Sequence, residues 1–305
     1  MKYPEFKEKF IERYSKLTNF EKFKEYSLKD KRKSIRVNTL KISVSEFKKK
    51  YSDLKLKQVP WCKEGFFVNS SRTDLGNLFG HSMGHFYVQE ASSMVPIEVL
   101  NPKKDDLILD MAAAPGSKTT QIAAKMKNTG LVVANDNNYN RLKALSMNIQ
   151  RSGVTNTIIS LMEGRFFSNF KFDKILLDAP CSGTGTLRKS PNTIKEWYPN
   201  IARRVSGVQR QLIKTAFNNL KKGGVLVYST CTLEPEENER VISYLLDEFE
   251  DAKLEKISIP GLKSSSAVLE FEGKEFNSEV SKCLRIWPQD NDTDGFFVAK
   301  VRKVL

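Results

Sequence analysis

Two of the cysteines stand in settings unlike the other two. Cys181 lies in LLDAPCSGTG and Cys231 in VLVYSTCTLEPEENE, each just past an apolar run and beside proline, glycine or small polar residues. Acids occupy matching places: Asp110 closes LILD, Asp136 closes VVAND, Glu163 closes IISLME and Asp178 closes KILLD. In open α/β sheets ligands bind outside the carboxyl ends of the strands, so thiols and acids are expected around one crevice. A buried cysteine is ordinarily inert packing. Two of them in strand-to-loop turns on a ligand edge suit covalent, nucleophilic catalysis better.

The segment between Asp110 and the following helix, MAAAPGSKTTQIAA, is a strand-loop-helix junction of small residues. Small residues let the backbone approach a ligand, and the helix start offers free N–H groups. A tight structural turn would use the same residues. The acids at the next strand ends favour the ligand reading, with Asp136 placed to take ribose hydroxyls. A Walker loop is excluded, because the order is Gly116-Ser117-Lys118 and Met111 stands where its first glycine belongs. The G-x-G-x-x-G of hydride-transfer enzymes is absent too. A ribose-bearing ligand with little phosphate to cradle remains, and S-adenosylmethionine fits that description.

Positioning these residues requires alternating strands and helices. DLILD, GLVVAND, NTIISLMEG, FDKILLDAP and GGVLVYSTC read as strands, separated by helical runs such as NNYNRLKALSMNIQRSG, a stretch near 202–222 and PEENERVISYLLDEF. That alternation predicts a mainly parallel sheet with helices on both faces. LRIWP and GFFVAKVRK, with no helix between them, predict an antiparallel edge. FYVQEASSMVPIEVL reads as helical, and 251–281 resists assignment.

Ahead of this lies a smaller piece. Phe6, Phe10, Tyr14 and Leu17 recur at helical spacing and predict an amphipathic helix over 3–26. A basic run from Lys29 to Arg36 follows. IRVNTLKI, at 35–42, reads as a strand, SVSEFKKKYSDL as a helix opened by a serine cap, and LKLKQVPW and GFFVN as short strands. The expected division is a helical segment over 1–30, a small α+β module over 31–83 that resembles an RNA-binding unit, and the main α/β domain over 84–305. His81 and His85 lie in a glycine-containing turn and read as structural or surface histidines.

The balance of 50 Lys+Arg against 36 Asp+Glu, a formal charge of +14, favours a polyanionic partner such as nucleic acid. Four cysteines without a C-x-x-C pair, and only two histidines, argue against structural zinc, so no metal is expected. No stretch approaches a membrane span, and the start has neither a signal-peptide core nor transit-peptide composition. A reduced, cytoplasmic, monomeric protein without a membrane partner is expected.

The motifs together resemble the RNA cytosine-5 methyltransferases of the Nol1/Nop2/Sun type. DMAAAPGSKT is similar to that family's cofactor motif, DAPCSGTG to its Pro-Cys motif and STCTLEPEENE to its Thr-Cys motif. RVNTLK and FYVQEASSMVP add to the likeness, which runs over roughly 31–303. SIRVNTLKISV and VPWCKEGFFV are most similar to a bacterial subgroup acting on 16S ribosomal RNA of the small subunit, whose members continue into further C-terminal domains that this chain lacks.

The resemblance implies a Rossmann-like methyltransferase fold and transfer of a methyl group from S-adenosylmethionine to cytosine C5. It makes Cys231 the nucleophile that adds to C6, and gives Cys181 a part in product release. Asp178 would lie between cofactor and base. The backbone of Ala112, Ala113, Ala114, Pro115, Gly116, Ser117 and Lys118 would hold the methionine part of the cofactor. Asp136 would take the ribose and Glu163 the adenine edge. Arg141 is a weaker candidate contact, since a solvated helix arginine reads equally well. The implied partner is ribosomal RNA or the small subunit, with transfer RNA as the alternative. DNA cytosine methylation would not require Cys231. A non-catalytic assembly factor would not require both cysteines and the loop intact.

Overall fold

A computed structural model describes residues 5–72 and 74–304. The chain opens with two helices, α1 (Glu8–Ser15) and α2 (Phe20–Leu28), where one is expected from the sequence. The break falls at Asn19, whose side chain accepts from the Lys22 N–H and so caps the second helix. The first residues of that expected helix, 3 and 4, lie outside the described residues. Phe10, Tyr14, Phe20 and Phe23 pack with Leu187, Trp197, Leu233 and Trp287 of the main domain. The aromatic stripe is therefore a docking face.

A four-stranded antiparallel sheet follows, built from β1 (Ser34–Val37), β2 (Leu56–Gln58), β3 (Gly65–Val68) and β4 (Phe86–Val88) in the order β2-β3-β1-β4. Helix α3 (Val44–Lys50) covers it, opened by a Ser43–Glu46 capping box, and α4 (Phe79–Ser82) precedes β4. Strand β1 ends earlier than the alternation suggests. The Asn38 N–H still donates to the His85 carbonyl at 2.9 Å, but the chain then turns, with the Lys41 and Ile42 N–H groups donating to the Asn38 carbonyl and the Asn38 side chain donating to the Gly84 and Ser152 carbonyls. The stretch read as one helix from Phe86 splits into β4 and α5 (Val95–Leu100), with Pro96 in the helix's first turn, where its missing N–H costs nothing.

The main sheet takes β5 (Leu107–Asp110), β6 (Leu131–Asp136), β7 (Thr157–Leu161), β8 (Phe172–Asp178), β9 (Leu220–Thr230), β10 (Ala252–Glu255), β13 (Leu284–Ile286) and β14 (Phe296–Lys303). A separate hairpin, β11 (Glu270–Phe271) with β12 (Lys274–Glu275), lies in the stretch the sequence left unassigned. The sheet order is β10-β14-β9-β8-β5-β6-β7. β5 through β9 pair in parallel and β14 runs antiparallel to β9. The antiparallel strand expected from the sequence is β14, and the short strands β10 and β13 cover its outer side.

Alternation along the strands feeds two cores. Leu109, Ile175, Leu177, Leu226 and Tyr228 pack against α9 (Ile201–Asn218) and α10 (Glu239–Glu248). Ile108, Leu176, Val225 and Val227 pack against α5 and α6 (Ser117–Met126) on the other face. α7 (Tyr139–Ser152) seats Leu142, Leu145 and Ile149 beside Ala123 of α6. Two small helices, α8 (Asn192–Glu196) and α11 (Pro288–Asn291), complete the chain. The small sheet is bolted to the large one by Arg36, which is buried and donates to the Ser117 carbonyl at 2.6 Å, to Thr120 Oγ1 at 2.8 Å and to Gln89. Burial pulls the Arg36 pKa down to about 10, so the guanidinium remains charged at neutral pH.

Candidate active site

β8 and β9 are parallel neighbours with Asp178 opposite Ser229, so their following loops leave the sheet side by side. That register brings Cys181 and Cys231 together, with their sulfurs 3.3 Å apart. The Gly185 N–H donates to the Cys231 carbonyl at 3.0 Å, and a Cβ at Gly185 would stand 2.8 Å from that oxygen and 2.5 Å from the Gly295 oxygen. Only glycine fits there. The Cys181 thiol is pushed well up by its contact with Cys231 and then by burial, and so keeps its proton.

Asp178 lies at the foot of both loops. Its Oδ1 accepts from Ser229 Oγ at 2.7 Å and its Oδ2 pairs with the Lys118 ammonium at 2.6 Å. Burial works against the charge on Lys118, but Asp178 outweighs it and the ammonium is held above its ordinary value. Lys118 also reaches Ser93 Oγ at 3.3 Å. The sequence reading gave Lys118 a backbone role only. Its ammonium is the feature that reading missed, and a lysine in the first turn of the helix after β5, with an aspartate ending β8, was the available signal.

The other acids ring the same cavity, of about 270 Å³, which Cys181, Cys231, Asp178, Asp136, Glu163 and Arg141 all line. Asp136 is buried, with Oδ2 accepting from the Ala114 N–H at 3.2 Å and Oδ1 from the Asn138 N–H at 3.1 Å. Arg141 is not merely solvated. It donates to the Ala114 carbonyl at 2.7 Å and sits 3.4 Å from Asp136. Glu163 lies just past the end of β7, with Arg165 at 3.8 Å. Of the loop residues, Ala112 and Ala114 line the cavity. Ala113 packs instead with Leu142 and Leu145. Pro115, Gly116 and Ser117 turn behind the wall. The Pro115 carbonyl accepts from Asn148, the Ser117 carbonyl from Arg36, and Gly116 has φ +102° with Leu145 Cδ1 2.8 Å from any Cβ placed there.

One buried oxygen of the cavity wall, Asn135 Oδ1, has no partner. Asp110 Oδ1 has none either, but Asp110 does not line the cavity. Burial drives the Asp110 carboxyl up to about 7 against one hydrogen bond from Thr119 at 2.7 Å. An orphaned acceptor beside carboxylates fits a ligand rich in donors, such as an ammonium and ribose hydroxyls.

The remaining cysteines lie elsewhere. Cys283 is core packing. Cys62 approaches Glu64 and Glu98 closely enough to suggest a metal trio, but the Lys125 ammonium lies 3.1 Å from Glu64 and 2.9 Å from Glu98 and supplies the positive charge there. His85 bonds the Tyr51 hydroxyl at 2.8 Å and His81 meets Arg151 at 2.9 Å, both away from the cavity. Among the described residues no helix is long and apolar enough to cross a membrane.

The sheet order, the small-residue loop after β5 and the acids that follow define a methyltransferase of the Rossmann-like class. The chain belongs to the 16S rRNA methyltransferase RsmB/F family, whose model matches residues 97–302, and residues 6–91 match the N-terminal domain of 16S rRNA methyltransferase RsmF. It is 47% identical over 299 residues to the tRNA (cytosine(49)-C(5))-methyltransferase of Pyrococcus abyssi, covering 97% of this chain and 96% of that protein. It is equally 47% identical over 282 residues to the ribosomal RNA small subunit methyltransferase F of Aliivibrio fischeri strain MJ11, covering 89% of this chain but 58% of that protein. Among solved structures, NSun6 from Pyrococcus horikoshii with SFG superposes with a TM-score of 0.85 at 29% identity, over 98% of this chain and 99% of that one. A methyltransferase homolog from the same organism gives a TM-score of 0.84 at 39% identity, over 93% of this chain and 90% of that one.

Proposed function

We propose that this protein methylates C5 of a cytosine in RNA, with S-adenosylmethionine as methyl donor. The observation that carries the proposal is the pair of sulfurs 3.3 Å apart on the rim of a cavity walled by Asp136, Glu163 and Asp178. When bound, the cofactor supplies a methyl group on a sulfonium centre. Ala112, Ala114, Asp136, Arg141, Glu163 and the orphaned Asn135 oxygen are the groups that would hold it, and the solved relative carrying SFG, an S-adenosylmethionine analogue, supports that choice.

Cytosine C5 is too weak a nucleophile to take a methyl group unaided. Cys231 adds to C6, which makes C5 enamine-like and able to attack; loss of the C5 proton to a base then lets the C6–S bond break. Cys181, still protonated, lies within hydrogen-bonding reach of the Cys231 sulfur. It then assists release of the product. Asp178, fixed by Lys118 and Ser229, faces the incoming base. The base must be single-stranded or flipped out to reach the thiols.

Two RNA classes compete for the substrate. Both family models point to small-subunit ribosomal RNA. The end-to-end match to a transfer RNA enzyme, at the same identity, favours transfer RNA. Bisulfite sequencing of total RNA with and without the gene separates them, and loss of 5-methylcytosine from neither class would refute the proposal. With the purified protein, Cys231→Ala is expected to abolish methylation. Cys181→Ala is expected to build a protein–RNA adduct that survives denaturing gels.

A further inference from the structure

The run that follows Cys231, Glu234-Pro235-Glu236-Glu237-Asn238-Glu239, is rich in acids that are buried nonetheless. A buried carboxylate is costly unless hydrogen-bonded, so each must have a use. Glu234 and Glu236 meet Arg13, Glu239 meets Arg285, and Asn238 holds Thr230 and the Thr232 carbonyl of its own loop. Glu237 alone turns toward the other cysteine loop. Its Oε2 accepts from the Ser182 N–H at 3.0 Å, and its Oε1 accepts from the Ser182 hydroxyl. Gln209 of α9 donates to the same Oε2 at 3.0 Å and to the Pro180 carbonyl at 2.9 Å. One carboxylate thus grips both neighbours of Cys181, Ser182 directly and Pro180 through Gln209. It does so from the loop that carries Cys231. Neither sulfur touches it, and it does not line the cavity.

We propose that Glu237 is a positioning residue: it clamps the Cys181 loop onto the Cys231 loop and so sets the spacing of the two sulfurs on which adduct release depends. The inference rests on the reading of Cys181 as the release residue. The other ties flank this grip: Ala179 to the Ser229 carbonyl at 2.8 Å lies before Pro180, and Ser182 to Thr232 at 2.8 Å, Thr184 to Thr232 at 2.9 Å, Leu233 to Thr184 at 3.0 Å and Gly185 to Cys231 lie at or after Ser182. None of them reaches Pro180 itself. Glutamine at 237 can keep these bonds, its carbonyl accepting from the Ser182 N–H and Gln209 and its amide donating to the Ser182 hydroxyl, whereas alanine removes both accepting oxygens.

The test combines a geometric ruler with a kinetic one. Phenylarsine oxide, a trivalent arsenical that needs two adjacent thiols, is titrated against wild type, Glu237→Ala, Glu237→Gln, Cys181→Ala and Cys231→Ala. Single-turnover methyl transfer and denaturation-stable RNA adduct are then measured on the same proteins. Glu237→Ala is expected to bind the arsenical about 10-fold more weakly and to release product roughly 10- to 100-fold more slowly, as small misplacements of reacting groups do, while Glu237→Gln, which can keep the bonds, stays close to wild type. First-turnover methyl transfer by Glu237→Ala should fall much less, so adduct accumulates.

Arsenical affinity of Glu237→Ala equal to wild type overturns the inference. So does an equal fall in methyl transfer and release, which is the signature of a merely structural role. If Cys181→Ala accumulates adduct and Glu237→Ala does not, the inference fails while the reading of Cys181 stands. If neither does, that reading fails and takes the release half of the inference with it, while unchanged or weakened arsenical binding still decides the positioning half. Should Glu237→Ala not fold, Ser182→Ala removes one bond of the clamp and should move both readouts in the same direction by a smaller factor.

Discussion

Asp110 shows how the burial of a single side chain ties stability to pH. It is fully buried beside Thr119, with one oxygen unpartnered, and its carboxyl is raised to about 7 chiefly by burial. A carboxyl whose folded-state value lies above its unfolded value contributes stability that is complete below the unfolded value and is lost as pH rises through the folded one. The window here runs from about pH 4 to about pH 7. Asp110→Asn keeps the neutral shape and the Thr119 bond while removing the titration. The variant should therefore lose less stability than wild type between about pH 4 and pH 7, at up to about 1.4 kcal/mol per pH unit for one proton. Urea denaturation at several pH values measures this, and parallel curves for the two proteins would contradict it.

At the scale of elements, the N-terminal helices brace the catalytic loop. Arg13 of α1 pairs with Glu234 at 2.8 Å and with Glu236 and Glu272, and the Tyr14 hydroxyl and the Trp197 indole N–H both donate to Glu234. Glu234 lies a few residues beyond Cys231 in the same loop. Arg13→Met would leave two carboxylates buried without their cation, a change that costs about 3–5 kcal/mol in comparable sites. A fall of that order in denaturant stability is expected, together with reduced methyl transfer. An unchanged denaturation midpoint would show that α1 merely rests on the domain. Elements were legible in the sequence where local pattern and tertiary context agreed, as in β5, β6, β8 and β9. They were misread where a turn interrupts the local pattern, as at Asn19, which caps α2, and after Asn38, whose carbonyl accepts from the Lys41 and Ile42 N–H groups.

For the whole molecule, Arg36 joins the small antiparallel sheet to α6 of the main domain, and most of the net charge of +14 falls in residues 1–83. Exposed lysines, such as Lys48, Lys49 and Lys50 on α3 and Lys143 on α7, belong to both parts. If phosphates are met across such a surface, RNA affinity should fall roughly 10-fold or more between 50 and 200 mM salt, with log affinity linear in log salt. Filter binding of an unstructured RNA measures the slope, and a flat response would remove phosphate contacts as the main source of affinity. Affinity for the cofactor should change little over the same range, since no phosphate is involved.

By itself the sequence determined the alternation of strands and helices, the crevice at the strand ends and the identity of the residues there. Those properties are written in local apolar periodicity and in residue types at strand termini, which a chain carries whether folded or not. It also yielded the candidate thiols, Cys181 and Cys231, and the acids Asp136, Glu163 and Asp178. Only the tertiary structure decided that the two sulfurs lie 3.3 Å apart, because that distance depends on β8 and β9 being parallel neighbours in a particular register. Only it paired Lys118 with Asp178, joined Arg13 to Glu234 and closed Glu237 on Ser182. Each of these contacts joins segments far apart in the chain, and the free energy that pays for burying their charges comes from cores that exist only once the sheet has formed.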